Sequence, residues 1–244
     1  MGVSVGTYNI LHGLNYPKWL NGTEEIDLTL VSDAIREMKL DICGLNEVRN
    51  QEQVPGLCNQ AKVIAENLGY HYVFGKAINY RGGEYGNALV TRYPILSAKT
   101  IPIAVPKEER IEGQAYEDRV LLSVDLLVDG KVLTVLVSHF GLSADEQSLA
   151  IGVIRNTVEQ CKNPIILMGD FNFKSDTAYY GELCKFVKDT VDLVEGSSFT
   201  FPSPSPDQKI DYLFINDGCQ AVAAEIPEIL SSDHRPYKVT LNIL

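Results

Sequence analysis

The chain has 244 residues, 45% of them hydrophobic and 22% charged, with a formal net charge of −11. That length and composition fit a globular protein that buries a core of its own. The acidic balance argues against a dedicated nucleic-acid binder, because a negative surface repels phosphate backbones unless a local basic cleft or bound divalent cations invert the field. The five cysteines, Cys43, Cys58, Cys161, Cys184 and Cys219, are odd in number, lack CxxC spacing and have no His neighbour. This argues against a disulfide framework or a zinc cluster. Cys43 and Cys184 lie in apolar patterns and are expected in the core.

Short apolar runs predict strands at Val3–Asn9, Ile42–Val48, His71–Phe74, Ala88–Thr91, Val120–Leu127, Val132–His139, Ile165–Gly169, Ile210–Ile215 and Tyr237–Ile243. Leu28, Val31, Ile35 and Met38 recur at helical spacing, so Asp27–Lys39 is expected to be an amphipathic helix. Further helices are expected at Ala61–Leu68, ended by Gly69, at Ala144–Cys161 and at Asp176–Val187. Asp129-Gly130 marks a hairpin, and Pro202-Ser203-Pro204-Ser205-Pro206 a stiff loop. His12–Glu25, Asn79–Tyr85, Pro106–Asp118 and Phe173–Tyr180 read as loops whose aromatic and charged residues would set specificity. Nothing marks a boundary, so a single α/β domain over residues 1–244, with two stacked mixed β-sheets and helices outside, is expected. No apolar run approaches the roughly 18 residues that cross a bilayer. The first strand begins almost at Met1 with no signal peptide before it, which predicts a cytoplasmic protein, although a secreted chain with its signal removed would read the same. A monomer is expected.

Several polar residues sit where strands should end. Ile165-Ile166-Leu167-Met168 is a buried run, Gly169 should let the backbone turn, and Asp170 and Asn172, two apart, should project to one side with Phe171 on the other. Asn9 closes the first strand, Glu47 follows a buried run, and His139 ends another. Asp211 interrupts an apolar strand and needs a partner if buried, and Asp233-His234 precedes the last strand. Taken singly, each has an ordinary reading as a cap, a turn or a solvated charge. Together they place three Asp, one Glu, two His and two Asn at strand ends or adjoining loops. The hard oxygen donors suit Mg²⁺ or Mn²⁺ rather than Zn²⁺. Charge neutralisation, an activated water and donors to developing charge are what phosphoester hydrolysis requires.

The order of motifs resembles the endonuclease/exonuclease/phosphatase superfamily, of the DNase I and exonuclease III type. The motifs are Thr7-Tyr8-Asn9, Leu45-Asn46-Glu47, the run from Tyr85-Gly86-Asn87 to Tyr93-Pro94-Ile95, Ser138-His139, Gly169-Asp170-Phe171-Asn172, Ile210-Asp211-Tyr212 and Ser232-Asp233-His234. They span the first strand to the last. The resemblance implies a four-layer α/β sandwich and divalent-metal hydrolysis of phosphoester bonds. It implies Glu47 as principal metal ligand with Asn9 and Asp233 beside the metal, and Asp170 as the group that orients or deprotonates water. Asn172 and His139 would donate to phosphoryl oxygens, and His234, held by Asp211, would be an acid/base or a cationic clamp. Asn87 and Arg119 would contact substrate, with an ion pair the alternative for Arg119. Two positions depart from the abasic-site nucleases of the family: Leu11 stands where those have an acidic residue, and His139 where they use Tyr. The sequence therefore leans toward the DNase-like, sphingomyelinase-like and phosphatase branches. The expected activity is hydrolysis of a small or lipid-derived phosphoester. A nuclease acting on DNA or RNA is the first alternative, and a non-catalytic binding module on the same fold is the second.

Overall fold

The apolar rows of the sequence become the facing surfaces of two six-stranded sheets in the computed structural model, which describes residues 2–54 and 57–244. The chain begins with β1 (Val3–Asn9), makes a 3₁₀ turn at Leu11–Gly13 and continues through α1 (Tyr16–Leu20), α2 (Leu28–Glu37), β2 (Ile42–Asn50) and α3 (Gln60–Leu68). Next come β3 (His71–Tyr80), β4 (Gly83–Thr91), β5 (Ile95–Ile103), β6 (Arg119–Val128), β7 (Lys131–His139) and α4 (Ala144–Gln160). The remainder is β8 (Ile165–Asp170), α5 (Ala178–Leu183), β9 (Lys188–Asp189), β10 (Asp211–Ile215), β11 (Cys219–Glu225) and β12 (Tyr237–Ile243). One sheet has the order β11-β12-β1-β2-β4-β3 and the other β5-β6-β7-β8-β10-β9.

Each sheet has one parallel pair near its centre, β1 with β2 and β7 with β8, and the other pairings are antiparallel. This pattern gathers the polar residues. The parallel strands deliver Asn9, Glu47, His139 and Asp170 at or near their C-terminal ends. The antiparallel neighbours run the other way, so their first residues arrive at the same end. Asp211 lies opposite Asp170, and β12 enters opposite Thr7 directly after Asp233-His234.

Val5, Ile42, Leu122, Val137, Met168, Leu213 and Val239 fill the space between the sheets. Gly44 permits that approach, since a Cβ there would meet the Met168 side chain at 2.6 Å. Helices α2 and α3 cover the outer face of the first sheet, where Val31, Ile35 and Ile64 pack on Tyr8, Leu45 and Ala88. Helices α4 and α5 cover the second, where Ile151, Ile154 and Leu183 join Leu136, Phe171 and Phe214. The result is a four-layer α/β sandwich. Each large apolar side chain so buried contributes about 1.5–3 kcal/mol. Helix starts follow side-chain capping: the Asp27 carboxylate accepts from Thr29 N at 3.0 Å, and Ser143 with Glu146 forms a reciprocal capping box.

Some expectations change. Gly169 does not end its strand; β8 runs through it to Asp170. The glycine is needed because its φ is +147° and a Cβ would lie 1.8 Å from the Ser138 carbonyl oxygen. Asn79–Tyr85 is a tight hairpin rather than a loop, with Arg81 and Gly82 both at positive φ. His12–Glu25 contains α1. The helix expected at Asp176–Val187 shrinks to α5, and Cys184, just beyond its end, is exposed, whereas Cys219 is buried. The strands β5, β9 and β11 were not anticipated. Among the described residues no helix is long and apolar enough to cross a membrane.

Candidate active site

Glu47 is aimed by a bulge. On β2, Leu45 pairs with Ala88 and Val48 with Gly86, so Asn46 and Glu47 together oppose Asn87. Glu47 takes φ 60°, and Leu11, His12 and Asn172, which border the same end, are also non-glycine residues at positive φ. Such backbone costs of order 1–3 kcal/mol per residue and clusters at functional sites. Asn9 Nδ2 donates to Glu47 Oε1 and to Asp170 Oδ2, both at 3.1 Å. Asn9 therefore bridges the two sheets and sits beside the carboxylates, while its Oδ1 accepts from Leu11 N.

Asp170 is buried between two imidazoles, with its Oδ2 at 3.6 Å from His139 Nε2 and 3.7 Å from His234 Nε2. Burial pushes its carboxyl up to about 7, and Asp211 adds to the rise while His234 opposes it. The two imidazoles differ in charge. Burial lowers His139 well below 6.5, and the Arg119 guanidinium acts in the same direction. Burial alone would lower His234 as well, but the Asp211 and Asp170 carboxylates outweigh it and push His234 up to about 10. Its Nδ1 donates to Asp211 Oδ2 at 2.8 Å, the pairing expected from the sequence. Arg119 Nη1 lies 3.2 Å from His139 Nδ1. Both ring nitrogens of His139 thus face N–H donors, Arg119 Nη1 at Nδ1 and Asn172 Nδ2 at Nε2. Asn172 closes the arrangement: its backbone N–H donates to Asp170 Oδ1 at 2.9 Å, and its Nδ2 lies 3.2 Å from His139 Nε2 and donates to Phe140 O.

Two expected substrate contacts are engaged elsewhere. Asn87 is buried, accepting from Asn46 Nδ2 at 2.9 Å and donating to Val120 O at 3.0 Å, so it braces the two sheets. Arg119 pairs with Glu117 at 2.6 Å while holding His139, which realises its ion-pair alternative. Asn46 and Tyr85, in quoted motifs but given no role there, belong to the site. Asn46 Oδ1 accepts from Asp170 N at 2.9 Å and its Nδ2 also donates to Ser138 O. Tyr85 lines a small cavity together with Glu47. An amide inside a buried strand was the available signal for Asn46.

The donor set fits a hard divalent cation at Glu47 and Asp233. Burial raises the Glu47 carboxyl, and the nearby Asp233 carboxylate raises it further. Among the described residues neither has a Lys or Arg partner within ion-pair distance. Two neighbouring carboxylates with no Lys or Arg partner are what such an ion neutralises. Asp170, Asp211 and His234 also lie within 4.8 Å of one another. In that trio His234, held protonated by its carboxylate neighbours, has no lone pair to give a metal.

A model of the Endonuclease/Exonuclease/phosphatase family matches residues 6–234. The chain belongs to that family. Members of the family are phosphoester hydrolases that generally use divalent metals. The uncharacterized protein YbhP of Escherichia coli (strain K12) is 22% identical over 225 residues, covering 86% of this chain and 87% of YbhP. The endonuclease/exonuclease/phosphatase from Beutenbergia cavernae DSM 12333 superposes with a TM-score of 0.81 at 22% identity, covering 99% of this chain and 72% of that one. The mannosyl-6-phosphatase Bt3783 of Bacteroides thetaiotaomicron VPI-5482 gives 0.79 at 18% identity, covering 99% of this chain and all of its own. These likenesses establish the four-layer fold. At the position of the first departure within the family, Leu11 is a half-buried apolar residue at φ 44° that lines the cleft beside Asp233 and offers no ligand.

Proposed function

We propose that the protein is a Mg²⁺- or Mn²⁺-dependent hydrolase of small phosphoesters. The observation that carries this reading is Asp170: a buried carboxyl brought to about 7, with a cationic imidazole on one side and a neutral one on the other. A base whose pKa lies near neutral is the kind that general-base chemistry favours. Glu47 and Asp233 would hold the cation, with Asn9 orienting Glu47. The chemistry a divalent cation supplies there is polarisation of a phosphoryl oxygen and neutralisation of charge gathering on it. Asp170 orients the attacking water and takes its proton as the water oxygen bonds to phosphorus and the ester P–O bond breaks. His234, kept protonated by Asp211, stays a fixed positive charge facing the phosphoryl group. His139 donates to a phosphoryl oxygen.

A small substrate is supported by the space at this end. A cavity of about 390 Å³ is lined by His12, Trp19, Arg49 and Asp233, and an adjoining one of about 200 Å³ by Glu47, Tyr80 and Tyr85. Those volumes suit a small ligand. The acidic surface, at −11 overall, opposes a polymer of phosphates. The test is a panel of small phosphomonoesters and phosphodiesters together with supercoiled plasmid, assayed with Mg²⁺, Mn²⁺ and EDTA. Metal-dependent release of phosphate or alcohol from a small ester is expected. Plasmid nicking that exceeds every small-ester activity, or activity indifferent to EDTA, would overturn the proposal.

A further inference from the structure

Six of the eight arginines in this acidic chain have carboxylate partners: Arg36, Arg92, Arg110, Arg119, Arg155 and Arg235. The two that do not, among the described residues, both lie against Tyr80 and line one cavity. Arg49 lies near the end of β2, two residues after Glu47, and Arg81 sits in the β3–β4 turn. Their guanidinium carbons lie 5.1 and 5.2 Å from the centre of the same Tyr80 ring. Arg49 Nε is buried and has no hydrogen-bond partner. His12 beside them is lowered to about 4, by burial first and then by the two guanidinium charges. All three line the 390 Å³ cavity that Asp233 also borders. At its wall Trp19, half exposed, stacks on Tyr16 with ring centres 5.6 Å apart.

A protein of net charge −11 has carboxylates to spare, and two adjacent cations left unpaired next to the hydrolytic centre are a disposition for an anion from outside. Compensation of Glu47 does not account for them, because neither guanidinium is within ion-pair distance of it. Contact with the Tyr80 ring restrains both side chains, so less freedom is lost when they grip an oxyanion. The cavity between this pair and Asp233 has room for the body of a small molecule, and the Tyr16–Trp19 stack offers a flat apolar surface to a ring.

We propose that Arg49 and Arg81 form a second anion subsite, and that the substrate is a phosphoester carrying a further phosphate remote from the scissile bond. This rests on the hydrolase reading above. Matched probes test it: glucose bisphosphate against glucose monophosphate, and adenosine bisphosphate against adenosine monophosphate. Binding is measured by calorimetry on the Asp170→Asn protein with Mg²⁺, and kcat/KM on the native protein. In at least one pair the bisphosphate is expected to bind about tenfold more tightly and to show a correspondingly higher kcat/KM. Arg49→Met with Arg81→Met should bring the binding ratio close to one. Arg81→Met alone, a change at an exposed turn, should lower it several-fold and guards against misfolding of the double variant. Equal binding of both members in both pairs overturns the subsite, as does an arginine variant that weakens both members alike. Hydrolysis of both members at equal kcat/KM overturns the subsite while leaving the hydrolase reading intact. A binding preference that follows the arginines, with no hydrolysis of any phosphoester, overturns the hydrolase reading and keeps the anion subsite.

Discussion

Replacing Asp211 by Asn removes one negative charge from a buried ion pair and little else. The carboxylate is almost fully buried, its Oδ2 lies 2.8 Å from His234 Nδ1, and its Oδ1 has no partner. An Asn Oδ1 still accepts from Nδ1–H, so the hydrogen bond survives and the charge does not. At about 1.36 kcal/mol per pKa unit, holding His234 protonated to about 10 instead of 6.5 is worth about 5 kcal/mol. With Asp211 neutral, Asp170 at 3.7 Å is the near counter-charge left against burial, and His234 should fall into or below the neutral range. Its folded-state pKa is raised in the native protein. The stability it contributes is therefore complete below its unfolded value of 6.5 and lost as pH climbs through about 10. Asp211→Asn should lose about 3 kcal/mol at neutral pH in urea melts, as breaking a buried ion pair does. Histidine NMR on metal-free protein should show His234 protonated throughout the neutral range in the native chain and titrating within it, or already neutral, in the variant. Activity at neutral pH should drop by about 10²-fold or more. The variant-to-native ratio of kcat/KM should rise as pH falls, since acid returns the missing proton. A native His234 that titrates near 6.5, or a ratio independent of pH, would refute the reasoning.

Glu47→Gln should abolish metal-linked stabilisation: in the native protein, Mn²⁺ at a hundredfold excess over its Kd adds about 2.7 kcal/mol, read as a thermal shift, and the variant should show none. Asp170→Asn should cost about 10²-fold or more in rate yet stabilise metal-free protein above neutral pH. Its carboxyl is raised from 3.8 to about 7, so folding is favoured below 3.8 and that advantage is lost as pH rises through 7. A gain in stability in EDTA at mildly alkaline pH is expected, and a less stable variant there would contradict the burial cost. Gly169→Ala places a Cβ 1.8 Å from a carbonyl oxygen at φ +147°, and should cost more than about 3 kcal/mol or fail to fold. Gly152→Ala, within α4 and with nothing in the way of a Cβ, should stabilise by about 0.5–1 kcal/mol, both judged by thermal melting.

What could be read in the chain beforehand follows from burial. Strands with a buried face, such as β1, β7 and β8, declare themselves through apolar runs, and the polar residues that end them stand out against that background. The strand β5 lies at a sheet edge with most of Ile95–Ile103 exposed, and includes Lys99 and Pro102. No buried face imposes alternation on it, so its sequence resembles a loop. The Asn79–Tyr85 turn misleads for the opposite reason: its polar and glycine residues are those of a loop, but a two-residue turn at positive φ joins long strands. Within the site, sequence position located the residues and left their hydrogen bonds undetermined. Asn87 and Arg119 stand where substrate contacts were expected, and the bonds they make are to Asn46, Val120, Glu117 and His139. Arg49 follows Glu47 closely, just past the expected strand Ile42–Val48, where an arginine is commonly a solvated charge. Its meaning comes from a partner it lacks. Whether a polar group serves the fold or a ligand depends on whether its hydrogen-bonding capacity is already filled from within the chain. That is a property of the three-dimensional neighbourhood, so it separates Asn87 from Arg49 where residue type and strand position cannot.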